Sequence, residues 1–152
     1  MLAFHKILVP TDLSDCSSRA LHEAQQFAHQ FSAHLDLLYV WAMPPLLAPE
    51  ALFTGVGSNE QPLLSWLGNT ARELLARFER TANDAGIHFN ATFCEPGDPA
   101  SAIVEHAKRG GYDLLVLGTH GRTGLAHAVL GSVAEKVVRH APCPVLTVRT
   151  AA

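Results

Sequence analysis

The chain has 152 residues and a mass of 16.4 kDa, enough for one domain with a full apolar core and too short for two comfortable ones. Apolar residues make up 48% of it and charged residues 16%, a composition that excludes a disordered or fibrous protein. The formal net charge of −3 gives no bulk attraction to nucleic acid or to an anionic membrane. We therefore expect a single domain over residues 1–152 that binds neither.

The cysteines and the first ten residues indicate the cellular compartment in which the protein is expected. Cys16, Cys94 and Cys143 are widely spaced and form no Cys-x-x-Cys pair, so neither a disulfide framework nor a zinc ribbon is predicted. No stretch reaches the roughly 20 apolar residues that a membrane helix needs. The first ten residues lack the apolar region and cleavage site of a secretory signal. A cytoplasmic location is the expectation.

Five short apolar runs predict β-strands, because each is rich in Val, Leu, Ile, Tyr or Phe and is bounded by turn residues. In chain order they are Lys6–Pro10, Leu35–Ala42, Ile87–Cys94, Tyr112–Leu117 and Pro144–Val148. Residues 7–9 and 114–117 are continuously apolar, as strands buried on both faces of a sheet should be.

Four segments with the apolar spacing of amphipathic helices alternate with these strands. Ser14 or Asp15 is the predicted N-cap of the first, and Gly86 ends the second. Asp98 and Pro99 begin the third as cap and first-turn proline. Strict βαβα alternation predicts an α/β fold, in which a parallel sheet carries helices on both faces.

The segment Met43–Pro62 interrupts the alternation and is interpreted as an exposed loop near any ligand cleft. Within it, Gly55 and Gly57 match only part of a dinucleotide-binding loop, because Glu60 replaces the third glycine and no strand immediately precedes. No Gly-Lys-Ser or Gly-Lys-Thr occurs anywhere in the chain. P-loop and ordinary dinucleotide sites are therefore excluded.

Two strand ends suggest a ligand site, because open α/β sheets bind ligands beyond the carboxyl ends of strands where the winding reverses. Pro10, Thr11 and Asp12 follow the first strand. The fourth strand is followed by a glycine-rich segment with one arginine: Gly118, Gly121, Arg122, Gly124 and Gly131.

The glycine-rich segment is typical of an anion site. Glycine lets backbone amides approach an oxyanion closely, and the helix that opens at Gly131 and Ser132 presents free amides. Arg122 would add a positive charge and a fork of donors suited to phosphate. The alternative to an anion site is a loop that merely turns the chain. Asp12 and Ser132 would then serve only as helix caps.

The spacing Gly118-x2-Gly121-x9-Gly131-Ser132 resembles the nucleotide loop of the universal stress protein A family, in its ATP-binding branch. The resemblance runs nearly end to end, through residues 6–12, 38–40, 97–99, 112–118 and 131–148. It implies a Rossmann-like, three-layer αβα sandwich with a five-stranded parallel sheet in the order 3-2-1-4-5.

The resemblance also implies a site for ATP. Pro10, Thr11 and Asp12 would lie beside the adenosine, and the backbone of Val40 would contact the adenine. The residues that would hold the ribose and phosphates are Gly118, Gly121, Gly131, Ser132 and Val133, with Arg122 beside them. Asp12 would bond a ribose hydroxyl or assist a Mg²⁺ ion bound through the phosphates, and the sequence does not choose between these roles.

A cytoplasmic regulator that dimerises through its last strand is the function that the resemblance implies. Pro142 and Pro144 flank that strand, and blunting of the sheet edge is the alternative. No lysine and no water-positioning Gln or Glu accompanies the glycines, so ATP hydrolysis is expected to be slow or absent. A weak ATPase or nucleotidyl-transfer enzyme, and a chaperone-like module without nucleotide, stay open. Gly121→Val is expected to abolish ATP binding.

Nine histidines raise the question of a metal site, but none is predicted. His22 and His29 are seven residues apart on one helix, too far for one ion. His120 lies inside the glycine-rich segment and would face a phosphate or leave the pocket. Trp41 and Trp66 flank the Met43–Pro62 segment, where packing in the core or at an interface is expected.

Overall fold

A computed structural model of the chain describes residues 3–42, 52–54, 60–119 and 130–149. Strands and helices alternate as predicted, except that two additional short strands stand between the second predicted strand and the second helix. The elements are β1 (Lys6–Thr11), α1 (Asp15–Phe31), β2 (His34–Trp41), β3 (Leu52–Thr54), β4 (Glu60–Pro62), α2 (Leu63–Asp84), β5 (Ala91–Pro96), α3 (Pro99–Gly110), β6 (Leu114–Gly118), α4 (Ser132–His140) and β7 (Val145–Val148). None of the helices in these ranges is long and apolar enough to cross a membrane.

The main sheet has five parallel strands in the order β5-β2-β1-β6-β7. Counting only these five along the chain, the order is 3-2-1-4-5, so the predicted fold class is confirmed. The chain winds from β1 toward one edge and then returns to β6, which pairs with the other side of β1. The carboxyl ends of β1 and β6 therefore lie side by side where the winding reverses.

Successive residues of the central strand face two different apolar layers. Ile7 packs in the layer that also contains Leu21 of α1 and Leu75 of α2. Leu8 packs in the opposite layer with Val137 of α4 and part of α3. Ile7 and Leu8 are both fully buried, which explains why this strand is continuously apolar rather than alternating.

The boundaries of β1, β2 and β7 agree with prediction to within one residue, whereas β5 begins later than predicted. The ladder with β2 starts at Asn90, whose amide donates to the carbonyl of Leu35 (2.8 Å) and whose side chain accepts from the Leu35 amide (2.8 Å). Ile87 is buried but precedes this ladder. The prediction that the strand begins at Ile87 was therefore wrong, because burial alone does not mark pairing.

The start of β6 also differs from prediction. Tyr112 was expected to open the strand, but its amide donates to the carbonyl of Ala107 (3.2 Å) and so closes the end of α3. Gly111 adopts the left-handed conformation there, with φ of 62°. The strand proper begins at Leu114.

The segment Met43–Pro62 is not entirely loop. Leu52–Thr54 and Glu60–Pro62 form a short antiparallel pair, β3 and β4. The loop prediction was wrong for these stretches, since three-residue strands are too short to show an alternating pattern. The rest of the segment lies outside the described residues.

Helix caps set the entry of the chain into α1, α3 and α4. Of the two candidates for the N-cap of α1, the structure has Ser14, and Asp15 is already helical. Asp98 caps α3 as predicted, by accepting from the Ser101 amide (3.0 Å). In α4 the N-cap is Gly131 and Ser132 is already helical, so the capping alternative for Ser132 is wrong. Glycine has no side chain, and the first turn of α4 is not capped by one.

Candidate functional site

A cavity of about 560 Å³ opens where β1, β2 and β6 end. Its remaining walls come from the N-terminal parts of α2, α3 and α4. The cavity thus occupies the point where the winding of the sheet reverses. Its volume falls within the range of about 300–1,000 Å³ that is usual for small-molecule sites.

Eight of the ten residues predicted to contact a ligand line this one cavity. They are Pro10, Thr11, Asp12, Val40, Gly118, Gly131, Ser132 and Val133. The other two, Gly121 and Arg122, lie outside the described residues, as does His120. The fold therefore brings together residues from both halves of the chain.

The wall formed by α2 was not foreseen as part of a site. Leu67, Ala71 and Leu74 line the cavity, although their spacing is the ordinary apolar spacing of an amphipathic helix, which by itself indicates only a stripe that faces the core. Trp41, which was expected to pack in the core or at an interface, also lines the cavity. Its ring lies against Gly68, where the Cβ of any larger residue would be 3.5 Å from Cζ2 of the ring. The apolar stripe was the only sequence signal, and it is the same for a core and for a cavity wall.

Asp12 is held in a tight turn between β1 and α1. Its Oδ1 accepts hydrogen bonds from the hydroxyls of Ser14 and Ser17 and from the amide of Ser14 (3.0 Å). Leu13 adopts the left-handed region with φ of 65°, and its amide donates to Oγ1 of Thr11 (3.0 Å). These contacts place the carboxylate at the cavity and support the Ser14 cap. The cap itself is not Asp12, so the capping alternative for that residue is wrong.

The hydrogen bonds of this turn also set the charge of Asp12. Partial burial raises the pKa of Asp12, but the bonds from Ser14 and Ser17 outweigh it and hold the pKa below its ordinary value. The carboxylate is therefore ionised at neutral pH. Within the part of the lining that the structure describes, it is the one charged side chain.

The first turn of α4 supplies backbone donors at the opposite wall. The Gly131 amide donates to the carbonyl of Thr119 (2.7 Å), which ties together the two ends of the segment between them. The amides of Ser132 and Val133 follow in the first turn, where a helix provides no intrahelical acceptor. Free amides at a helix N-terminus are suited to an anion.

The end of β2 offers an acceptor at the cavity. The His34 amide donates to the carbonyl of His5 (2.8 Å), so even-numbered residues of β2 direct their backbone groups toward β1. The next step of this ladder would bring the Leu13 amide to the carbonyl of Val40. That amide donates to Oγ1 of Thr11 instead, so among the described residues the β1 side supplies no donor to the Val40 carbonyl, which is suited to accept from a ligand.

Comparison with known proteins gives a consistent picture. Residues 3–149 match the sequence profile of the universal stress protein family. Universal stress protein MJ0531 of Methanocaldococcus jannaschii is 38% identical over 146 residues, which cover 96% of this chain and 82% of the relative. The structure of universal stress protein UspA from Lactobacillus plantarum has a TM-score of 0.76 at 27% identity, covering 98% and 100% of the two chains. A universal stress protein solved in complex with cAMP has a TM-score of 0.67 at 29% identity, covering 99% and 100%.

Proposed function

Because the chain belongs to the universal stress protein family, we propose that it is a regulator that binds ATP in the cavity beyond β1 and β6. One observation carries the proposal: eight of the ten residues expected to contact the nucleotide line a single cavity of suitable volume. The relative solved in complex with cAMP, an adenine nucleotide, adds support from a protein 29% identical to this one.

The cavity suits the two ends of an adenine nucleotide differently. At the end of β2, the Val40 carbonyl would accept from the amino group of the adenine. The apolar side chains of Leu67, Ala71 and Ile103 would cover the base and exclude water from it. Across the cavity, the first-turn amides of α4 would bind the phosphates.

Asp12 would act between these two ends. The described hydrogen bonds of its side chain all use Oδ1, so Oδ2 is the oxygen that we assign to the ligand. An ionised carboxylate oxygen accepts from a ribose hydroxyl or binds Mg²⁺ carried by the phosphates. Both groups fit a nucleotide bound across the cavity.

We test the role of Asp12 with Asp12→Asn. The amide oxygen still accepts from Ser14 and Ser17, so the turn is kept while the charge is lost. We expect calorimetric titration with ATP and Mg²⁺ to show affinity reduced about tenfold, the usual cost of losing a hydrogen bond to a charged group. If Asp12 binds Mg²⁺, the loss disappears without the metal; if it binds the ribose, the loss persists.

The matched control is Asp15→Asn, an exposed carboxylate in the first turn of α1 that does not line the cavity. Its affinity should equal that of the wild-type protein. Equal affinities of the Asp12 and Asp15 variants for ATP would show that Asp12 does not contact the nucleotide or its metal ion. A wild-type protein that binds neither ATP, AMP nor cAMP would refute the nucleotide function and favour a chaperone-like module.

Nucleotide occupancy would then alter conformation or partner binding in a cytoplasmic dimer, with hydrolysis slow or absent. We expect mass spectrometry to find ATP released from freshly purified protein, and ATP incubated with the protein and Mg²⁺ to be recovered intact. Multiple-turnover hydrolysis that Asp12→Ala abolishes would instead favour a weak ATPase or nucleotidyl-transfer enzyme.

A further inference from the structure

One carboxylate joins α3 to the edge strand β5. Nδ1 of His106 lies 2.8 Å from Oε1 of Glu95. The guanidinium of Arg109 donates to the two oxygens of the same carboxylate at 3.3 and 3.4 Å. Within the described residues, every polar side-chain contact between α3 and β5 ends on Glu95.

Of these two contacts to Glu95, only the one made by His106 is shielded from solvent. His106 is 7% exposed, whereas the other histidines that the structure describes are exposed. Its ring lies 4.6 Å from the ring of Phe93 and 5.7 Å from that of Tyr112, which it stacks upon. The Arg109 side chain is 61% exposed, and such ion pairs contribute little. The bond between His106 and Glu95 is therefore the polar contact that can fix the position of α3 against β5.

Both residues of this hydrogen bond lie next to residues that line the cavity. On α3, Ile103 lies one helical turn before His106 and lines the cavity, as does Pro99 at the start of the helix. On the sheet, Glu95 is paired in register with Val40, which lines the cavity. A shift of α3 relative to β5 would therefore change the width of the cavity beside the base.

We propose that His106 is a positioning residue for the nucleotide, because its bond to Glu95 sets the distance between α3 and the β2–β5 side of the pocket. This inference rests on the proposed nucleotide-binding function. A hydrogen-bonded polar pair with its imidazole buried restricts α3 to one arrangement, whereas the apolar contacts around it tolerate sliding.

The test compares His106→Asn with His106→Leu. The asparagine amide replaces Nδ1 as the donor to Glu95, whereas leucine fills similar space and donates nothing. We expect His106→Leu to raise the Kd for ATP about tenfold and His106→Asn to stay within about threefold of wild type. His88→Leu is the matched control, since His88 is exposed, does not line the cavity, and hydrogen-bonds through its ring to Asn83 (3.3 Å). Its Kd should not change.

A purely structural role for His106 would lower the thermal midpoint of His106→Leu while leaving its Kd equal to that of the wild type. That result would overturn the proposal, and so would an asparagine variant that binds as weakly as the leucine variant. If wild-type protein binds no adenine nucleotide, the proposed function fails and the inference with it. If wild type binds and all variants bind equally, only the inference fails.

A measurement on the wild-type protein does not depend on how any variant folds. Imidazole signals of all histidines are followed by NMR while ATP is added. We expect the His106 signal to shift in proportion to occupancy and the His88 signal to stay in place. An unmoved His106 signal at saturation would contradict the proposal.

Discussion

Tyr112 shows how a single side chain connects polar groups inside an apolar layer. Its hydroxyl donates to Oδ2 of the buried Asp36 (2.8 Å), and Nζ of Lys6 lies 4.3 Å from the centre of its ring. Burial, with the bond to Asp36, raises the pKa of Tyr112 well above its ordinary value. The phenol therefore stays protonated, and able to donate to Asp36, to a higher pH than an ordinary tyrosine.

Gly110 makes room for this ring. A Cβ built on Gly110 would lie 2.3 Å from the Tyr112 ring, a distance that forces the buried ring to move. We expect Gly110→Ala to lower the free energy of unfolding by about 1–3 kcal/mol, as overpacking does, in urea titrations.

The control for this prediction is Gly68→Ala on α2. A Cβ at this position would have no neighbouring atom closer than 3.5 Å. In a helix interior, alanine is more favourable than glycine by up to about 1 kcal/mol. Gly68→Ala should therefore be neutral or stabilising. Equal stability of the two alanine variants would show that the ring yields without cost.

At the scale of elements, the start of α1 couples helix stability to the candidate site. Ser14 caps the helix and also donates to Asp12. We expect Ser14→Ala to lower the free energy of unfolding by about 1 kcal/mol at neutral pH, the usual cost of losing an N-cap. Urea titration measures this loss, and Ser18→Ala, inside the same helix, should show none.

The same substitution should change the response to acid. The pKa of Asp12 is lower in the folded protein than its ordinary value, so its stabilisation is present above about pH 3.9 and is lost as the pH falls through the folded pKa. Removing the Ser14 hydroxyl should raise that pKa and shrink this acid-dependent part of the stability. A carboxyl titration by NMR checks the pKa directly, and an unchanged value would contradict the role assigned to Ser14.

At the scale of the whole molecule, β7 is an edge of the main sheet. The carbonyls of Pro144 and Val148 accept from the Leu115 and Thr119 amides of the β6 side, both at 3.0 Å. Backbone groups alternate in direction along a strand, so those of Val145 and Thr147 face away from the sheet. This edge can pair with a second copy, which is the dimer that we propose.

Thr147→Pro tests that dimer, because proline removes an outward N–H without breaking the ladder to β6. We expect wild type to sediment at about twice 16.4 kDa and Thr147→Pro to sediment as a monomer. Thr147→Val keeps the N–H and should stay dimeric. A wild-type monomer at every concentration, or a dimeric proline variant, would exclude pairing through this edge.

The sequence alone determined the α/β class, the alternation of elements and two of the helix caps. These features depend on local chemistry: continuous apolar runs, helical spacing, and a serine or an aspartate followed by a free amide. The resemblance carried by the glycine spacing added the strand order. It also added Val40 and Val133 to the residues that the two strand ends had already indicated, and the described ones among all of these line one cavity.

Only the tertiary structure decided how that cavity is completed. Leu67 and Ile103 have the spacing of core residues, and only the packing of α2 and α3 over the strand ends makes them cavity walls. That the β1 side supplies no described donor to the Val40 carbonyl depends on strand register and on the turn after β1. The bond between Glu95 and His106 depends on contacts between distant segments. Local patterns cannot specify these, because the same pattern is compatible with several registers and packings.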